Sequence, residues 1–347
     1  MFVMTLQKIT GSDIFHQVHW TTSTDMGKTW KKPRPIEAFG RVPTEDGLQN
    51  GVCDSVPEFH EQTGVILAMG HNVYYTKDGR ITRRATERYP VYVVGDGKGN
   101  WSERRRLEWD DPRASAIYTS NCDQRVGLPN GDILIPLSFG PRGRKDRAAG
   151  SVLCAFDGER LKVKAATEKE LRLAVGRGLL EPSLTFFKGK YYLTIRAEDG
   201  RGYVAHSDDG LEWQDMQPWA WEDGKPLVMS TTQQHWVTHS ERLFLAYTRK
   251  AEDNVNVMRW RAPIYIAQVD LEKRCLIRST EQVVLPLIGD GVNDAKHVAR
   301  MGNFNVTHAS QDETWITVGE TLPHDKWQGN TLLARIRWSR PNTLVGR

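Results

Sequence analysis

Ser23-Thr24-Asp25-Met26-Gly27-Lys28-Thr29-Trp30 is the stretch whose reading decides the fold. It has the grammar of a tight turn. Ser and Asp side chains can cap backbone groups, Gly27 accepts a positive φ, and Trp30 can fold back onto the sheet it leaves. An apolar and aromatic run, Ile14 to Trp20, leads into it.

Outward from this turn, Gly, Pro, Asn and Asp cut the chain into units of about forty to sixty residues, the spacing of propeller blades. Each unit repeats a short polar-edged strand, a turn with Gly, a very apolar second strand, a third strand and a turn that often ends in Trp. The first has Met1 to Lys8 and Ile14 to Thr21 but no strand ahead of Met1 to serve as its inner strand. The second runs Val56 to His60 and Val65 to Met69, with Asp96 to Trp101 as a decayed turn motif. The third runs Gln124 to Leu128 and Ile133 to Phe139. The fourth runs Glu181 to Phe187, Tyr191 to Arg196 and Tyr203 to His206, ending in Ser207-Asp208-Asp209-Gly210-Leu211-Glu212-Trp213. The fifth runs His235 to Thr238, Arg242 to Arg249 and Ile264 to Val269, and the sixth Asn305 to Ala309, Thr314 to Gly319 and Leu332 to Trp338. The expectation is an all-β, six-bladed β-propeller in a single domain, residues 1–347, with an incomplete first blade. A β-sandwich with incidental turns is the alternative. The irregular segments Glu37 to Asn50, Arg80 to Pro90, Arg142 to Gly150 and Ile288 to Met301 read as insertions over one face.

Composition agrees with many short strands. There are 12 Trp, 30 Gly and 16 Pro among 347 residues, and hydrophobic residues make up 39%. A net charge of +4 from 47 basic and 43 acidic residues gives no reason to expect a nucleic-acid partner. No window is apolar enough to span a bilayer, and the N-terminus lacks a signal pattern, so a cytoplasmic protein is expected. Cys53, Cys122, Cys154 and Cys275 read as buried thiols of a reducing compartment.

In a propeller the start of each first strand and the end of the second meet at one mouth. Those windows hold Asp54, Glu58, His71 and Asn72 in the second unit, Arg125 in the third, Glu181, Arg196 and Glu198 in the fourth, and Gln234, His235 and Arg249 in the fifth. Charges gathered at one mouth cost desolvation and repulsion unless they serve a polar ligand. His71 and His235 lack short-range ligand spacing, so neither a metal nor another cofactor is expected.

The octet at Ser23 to Trp30 resembles the Asp-box of sialidase-like β-propellers, and Ser207 to Trp213 resembles the same box shortened by one residue. The resemblance implies roles. Glu181 matches the glutamate partner of the nucleophile. Arg196 and Arg249 match arginines that clamp the substrate carboxylate, a task suited to planar bidentate groups. Asp13, on the loop before the strand leading into the first box, is placed like the aspartate acid/base, and Asp54 is the other candidate general acid. His71 and His235 become proton-transfer groups or substrate contacts, and Arg125, Gln234, Asn72 and Glu58 further substrate contacts. Two departures stand out: the inner strand that carries the first clamp arginine is missing, and Phe304 or Asn305 stands where the resemblance implies a tyrosine nucleophile. An exo-acting glycosidase on an acidic or polar sugar is the leading expectation. A uronate-directed lyase or His-dependent hydrolase, and a non-catalytic glycan-binding propeller, are the alternatives. The open edge of the first blade calls for cover by the segment Asn342 to Val345 or by a partner chain.

Overall fold

Continuous apolar runs such as Ile66-Leu67-Ala68-Met69 and Ile133 to Leu137 are too short for buried helices and do not alternate, which is the pattern of strands buried on both faces. The computed structural model, which describes residues 1–82, 87–322 and 328–345, places them as the middle strands of antiparallel sheets. Of the insertion expected over Arg80 to Pro90, residues 83–86 lie outside the described residues.

Six sheets follow one another along the chain. The first holds β1 (Phe2–Ile9), β2 (Phe15–Ser23) and β3 (Arg34–Pro35). The second holds β4 (Val42–Pro43), β5 (Gln49–His60), β6 (Val65–Tyr75), β7 (Pro90–Gly95) and β8 (Arg105–Arg106). The third holds β9 (Ile117–Thr119), β10 (Val126–Gly127), β11 (Ile133–Gly140), β12 (Ala148–Phe156) and β13 (Leu161–Ala166). The fourth is β14 (Leu180–Phe187), β15 (Lys190–Arg196), β16 (Gly202–Ser207) and β17 (Gln214–Pro218). The fifth is β18 (His235–Thr238), β19 (Leu243–Tyr247), β20 (Ile264–Asp270), β21 (Cys275–Leu276) and β22 (Gln282–Leu285). The sixth is β23 (Arg300–His308), β24 (Glu313–Thr321) and β25 (Thr331–Arg337). Strand order within the sheets is the meander of blades, and the fold class is the all-β six-bladed β-propeller, with three strands described in the first blade and three in the sixth. Contacts cluster into two units, Met1–Lys145 with Ser151–Ala166, and Asp146–Gly150 with Thr167–Arg347.

The opening octet is the turn from β2 to β3. Ser23 Oγ donates to Asp25 Oδ1 at 2.8 Å and accepts from Gly27 N at 2.9 Å, while Asp25 takes Thr29 N at 3.0 Å and Thr29 Oγ1 at 2.6 Å. Met26 and Gly27 both have positive φ, 57° and 69°. The turn after β16 repeats the scheme: Gly210 N donates to Ser207 Oγ, and Leu211 N and Glu212 N both donate to Asp209 Oδ1 at 2.8 Å. Asp96 keeps only the carboxylate half, accepting from Lys98, Gly99 and Asn100 N–H groups.

Cores lie between neighbouring sheets. In the first unit Val18, Trp20 and Phe39 pack with Val52, Ala68 and Val91. In the second, Trp219 and Trp236 join the fourth sheet to the fifth, their indole N–H groups donating to Thr194 Oγ1 and Ser183 O. Truncating Trp236 to Ala would cost about 3–5 kcal/mol, the usual range for a buried aromatic.

Three inner-strand boundaries differ from the sequence reading, β23 of the sixth sheet starting at Arg300 rather than Asn305. The inner strand of the second sheet starts at Gln49 rather than Val56, because a bulge between Cys53 and Val56 hides its first half. The inner strand of the third sheet is split: β10 lies within the expected Gln124 to Leu128 but is only two residues long, β9 pairs with β11 separately, and Cys122, at φ 52°, lies between them. The C-terminal segment also sits elsewhere than expected. Asn342 is fully buried and bonds to Thr238 O, Ser240 N and Leu344 N, fastening residues 340–345 to the turn between β18 and β19. At the edge of the first sheet, Thr5 Oγ1 donates to Ser55 O and Gln7 Nε2 to Val52 O, both at 2.6 Å, so side chains of β1 tie it to β5.

Candidate functional site

Two inner strands are broken in the same way. In the fourth sheet Leu180 pairs with Arg196, the register then shifts, and pairing resumes at Ser183 with Thr194. Pro182 has no N–H to give the ladder, so this point favours a bulge. Glu181 is left at φ 46°, a left-handed conformation that costs free energy in a non-glycine residue. In the second sheet Cys53 pairs with His71, the register shifts, and pairing resumes at Val56 with Met69, leaving Asp54 at φ 56°. Each bulge therefore extrudes a carboxylate beside a polar residue of the second strand, Glu181 beside Arg196 at the end of β15 and Asp54 beside His71 within β6.

The fourth-sheet cluster is strongly charged. Arg196 Nη1 lies 2.5 Å from Glu181 Oε1, and Arg196 Nε donates to Thr231 Oγ1 at 3.0 Å. Arg177 grips Glu198 through Nε at 2.8 Å and Nη2 at 2.6 Å. Burial alone would push the Glu181 carboxyl up, but Arg196, Arg261 and Arg177 together hold it below the usual carboxylate range. Glu181 is thus an ionised acceptor at neutral pH. His235 is fully buried, with Nδ1 2.9 Å from Ser183 Oγ and its ring edge-on to Phe304 at 4.9 Å. Burial pushes it down to about 4 despite the opposing charge of Glu181, so it is neutral. Glu181 Oε2 is buried without a hydrogen-bond partner among the described residues. Such an atom is costly to leave unsatisfied, and it is the acceptor that a bound polar group can meet.

The second-sheet cluster is smaller. Cys53 Sγ is 3.2 Å from His71 Nε2, His71 Nδ1 is 3.8 Å from Asp54 Oδ2, and Asn121 Nδ2 is 3.1 Å from His71 Nδ1 and 3.4 Å from Asp54 Oδ2. Asn121 N is in turn held by Asp123 Oδ2.

Other residues picked out by sequence occupy different surroundings. Asp13 is exposed on the turn before β2, at φ 58°. Glu58 lies four residues beyond Asp54, roughly 13 Å along an extended strand; it pairs at 2.9 Å with Arg125, whose guanidinium also donates to Val56 O and Leu67 O. Asn72 spends both ends of its amide on Glu87 O and Tyr89 N. Gln234 is buried, accepting from Thr194 Oγ1 at 2.5 Å, and a Cβ at Gly202 would overlap it. Arg249 is bidentate on Glu281 at 2.7 and 2.5 Å and lies over the Tyr265 ring; those bonds raise its already high pKa.

Arg177, Arg261, Thr231 and Asn121 escape a reading by strand ends because they sit in loops. The flanking Gly176 and Gly178, both at positive φ, were the available signal for Arg177.

No family model matches the chain, and no curated protein matches it. Solved structures do. Trypanosoma rangeli sialidase in complex with the inhibitor DANA superposes with a TM-score of 0.64 at 15% identity, over 96% of this chain and 52% of that one. Hadza microbial sialidase Hz136 gives 0.64 at 17%, over 96% and 63%. The intramolecular trans-sialidase from Ruminococcus gnavus in complex with oseltamivir carboxylate gives 0.60 at 11%, over 97% and 90%. The chain spans about half the length of the trypanosomal sialidase it resembles. At these identities the likeness shows the fold, a six-bladed propeller of sialidase type. Among the described residues no helix is long and apolar enough to cross a membrane.

Proposed function

We propose that this protein is a glycoside hydrolase that removes an acidic or otherwise polar terminal sugar from a glycan. The observation that carries the reading is Glu181: ionised, held by Arg196, and presenting a buried oxygen that no described residue satisfies. Glycoside hydrolysis uses a carboxylate that stays ionised and a second group that protonates the leaving oxygen. Glu181 serves as base or polarising carboxylate, and Asp13 or Asp54 as general acid. Arg196 and Arg249 grip a substrate carboxylate. His235 and His71 contact the substrate or move a proton, and Arg125 and Glu58 are further substrate contacts; Gln234 and Asn72, spent on Thr194 and on the backbone of Glu87 and Tyr89, drop out of that role. Neither Phe304, which is fully buried, nor Asn305 can replace a tyrosine nucleophile, so the attacking group in this reading is water, activated by Glu181.

Aryl glycosides of sialic and uronic acids, assayed with the wild type and with Glu181→Gln, test it. Turnover by the wild type and its loss in the variant are expected, and a fully active Glu181→Gln overturns the assignment. Elimination from a uronate glycan is the second reading, favoured by the imidazole of His71 beside Asp54. An absorbance rise from an unsaturated product, abolished by His71→Ala and indifferent to Glu181→Gln, would select it.

A further inference from the structure

Glycoside hydrolysis asks for carboxylates and has no use for a thiol, yet the second-sheet bulge gathers a thiol, a carboxylate and an imidazole whose donor atoms all lie within 4.8 Å of one another. Two ligand atoms on a tetrahedral zinc ion, at bond lengths of about 2.0–2.3 Å, stand about 3.4–3.6 Å apart. With Nδ1 as the one ring donor, Cys53 Sγ and Asp54 Oδ2 each stand 3.8 Å from it, a few tenths of an ångström beyond that value and within reach of a small closure around an ion. We propose that Cys53, Asp54 and His71 bind a divalent transition-metal ion of zinc-like softness.

The backbone builds this set. Cys53 and His71 are direct partners across β5 and β6, and the bulge turns Asp54 to the same side as their contact. Gly70 makes the closure feasible: a Cβ there would come within 2.5 Å of Cys53 O and 3.2 Å of Ser55 backbone atoms. Cys53 and His71 are 2% and 3% exposed and the Asp54 side chain 11%, so a bound ion would be nearly withdrawn from water. A thiolate with an imidazole and one carboxylate selects zinc, cobalt or iron over the hard ions magnesium and calcium. The amide of Asn121 already faces the ring and Asp54, and its rotation would bring an oxygen donor to the same point. The equivalent bulge in the fourth sheet has Leu180 and Arg196 in place of Cys53 and His71, and can hold no cation. The proposal goes beyond the hydrolase reading and refines it: an ion would take Asp54 and His71 out of proton transfer and leave Asp13 as the general acid.

Chelator-stripped full-length protein titrated with Zn²⁺ and Co²⁺ provides the test. The expected result is about one equivalent of zinc per chain by elemental analysis, as for a single built site. Co²⁺ should give tetrahedral d–d bands and a thiolate-to-metal charge-transfer band. Cys53→Ser should abolish that band, and His71→Gln and Asp54→Asn should weaken binding at least about tenfold, while Cys154→Ser, a buried thiol elsewhere in the sheet system, leaves everything intact. Wild-type Co²⁺ spectra without a thiolate band, or zinc affinity equal in wild type and Cys53→Ser, overturn the proposal. The wild-type spectrum decides even where a variant folds poorly. Glu181→Gln should bind metal normally, so failure of the hydrolase reading and failure of the metal site are separable.

Discussion

Arg196 Nη1 stands 2.5 Å from Glu181 Oε1, and the two meet because one is extruded from β14 by a bulge while the other ends β15. The pair is self-neutralising on one carboxylate oxygen only; Glu181 Oε2 has no hydrogen-bond partner among the described residues. Glu181→Gln keeps the shape and a hydrogen bond to Arg196 but removes the base. Its kcat should fall by about 10²–10⁴-fold, the usual worth of general-base catalysis, with little change in KM. Glu181→Ala should in addition lower stability by about 3 kcal/mol by leaving the buried Arg196 charge unpaired. Wild-type kcat in the Gln variant would remove Glu181 from the mechanism.

Arg249 tests the clamp. Its fork is already closed on Glu281, to which Tyr247 Oη also donates at 2.5 Å. A clamp held by an internal carboxylate must exchange or share that partner when substrate arrives. Arg249→Met should therefore raise KM for a carboxylate-bearing glycoside by about tenfold or more, equivalent to one charge-assisted hydrogen bond, and leave KM for the matching neutral glycoside unchanged. Equal effects on both substrates, together with a lowered melting temperature, would make Arg249 a fastening of Tyr247 and Tyr265 instead.

Much of the fold was legible because turn chemistry is local. Ser23 and Asp25 hold the backbone within four residues, so the octet announces its own geometry, and the blade from Glu181 to Trp213 repeats it. Strand ends of the fourth and fifth sheets could be placed within two residues for the same reason, whereas β23 of the sixth begins five residues before the expected Asn305. Bulges were not legible. Asp54 and Glu181 take left-handed backbone conformations that ordinary strand residues avoid, and only pairing with the next strand reveals them. Of the charged cluster on the fourth sheet, Glu181 and Arg196 could be paired from the sequence by spacing, whereas Arg177 and Arg261 come from loops whose paths depend on tertiary packing. Gln234 and Asn72 look the same in sequence as mouth-lining amides, but the structure commits them to Thr194 and to the backbone of Glu87 and Tyr89.

Gly70 carries a prediction about the bulge itself. Gly70→Ala puts a methyl against Cys53 O and the Ser55 backbone, which cannot swing aside as a side-chain end can. It should destabilise the protein by about 1–3 kcal/mol, the range for overpacking. Gly127→Ala, in β10 with nothing within 4 Å of the new atom, serves as the control and should change little. Urea midpoints compare them; a Gly70→Ala variant as stable as Gly127→Ala would mean that the bulge does not require the close approach.

His235 makes stability depend on pH in a direction that can be worked out. Buried neutral between Ser183 and Phe304, it titrates at about 4 in the folded protein, against about 6.5 in an unfolded chain. The unfolded state therefore takes up the proton first as pH falls. The contribution is fully present above about pH 6.5 and is lost progressively down to about pH 4, on the order of 3 kcal/mol in all. Glu181, whose folded pKa is lowered, adds a loss only at more acid pH, below the unfolded carboxyl value. His308, pushed down to about 4 mainly by burial, acts in the same window as His235. Wild-type unfolding free energy should thus drop between pH 7 and pH 5, His235→Gln should flatten part of that slope, and adding His308→Gln should flatten more. An unchanged slope in His235→Gln would show that the imidazole is already protonated, or reached by water, in the folded state, and Glu181 would then face a cation where a neutral ring is now assigned.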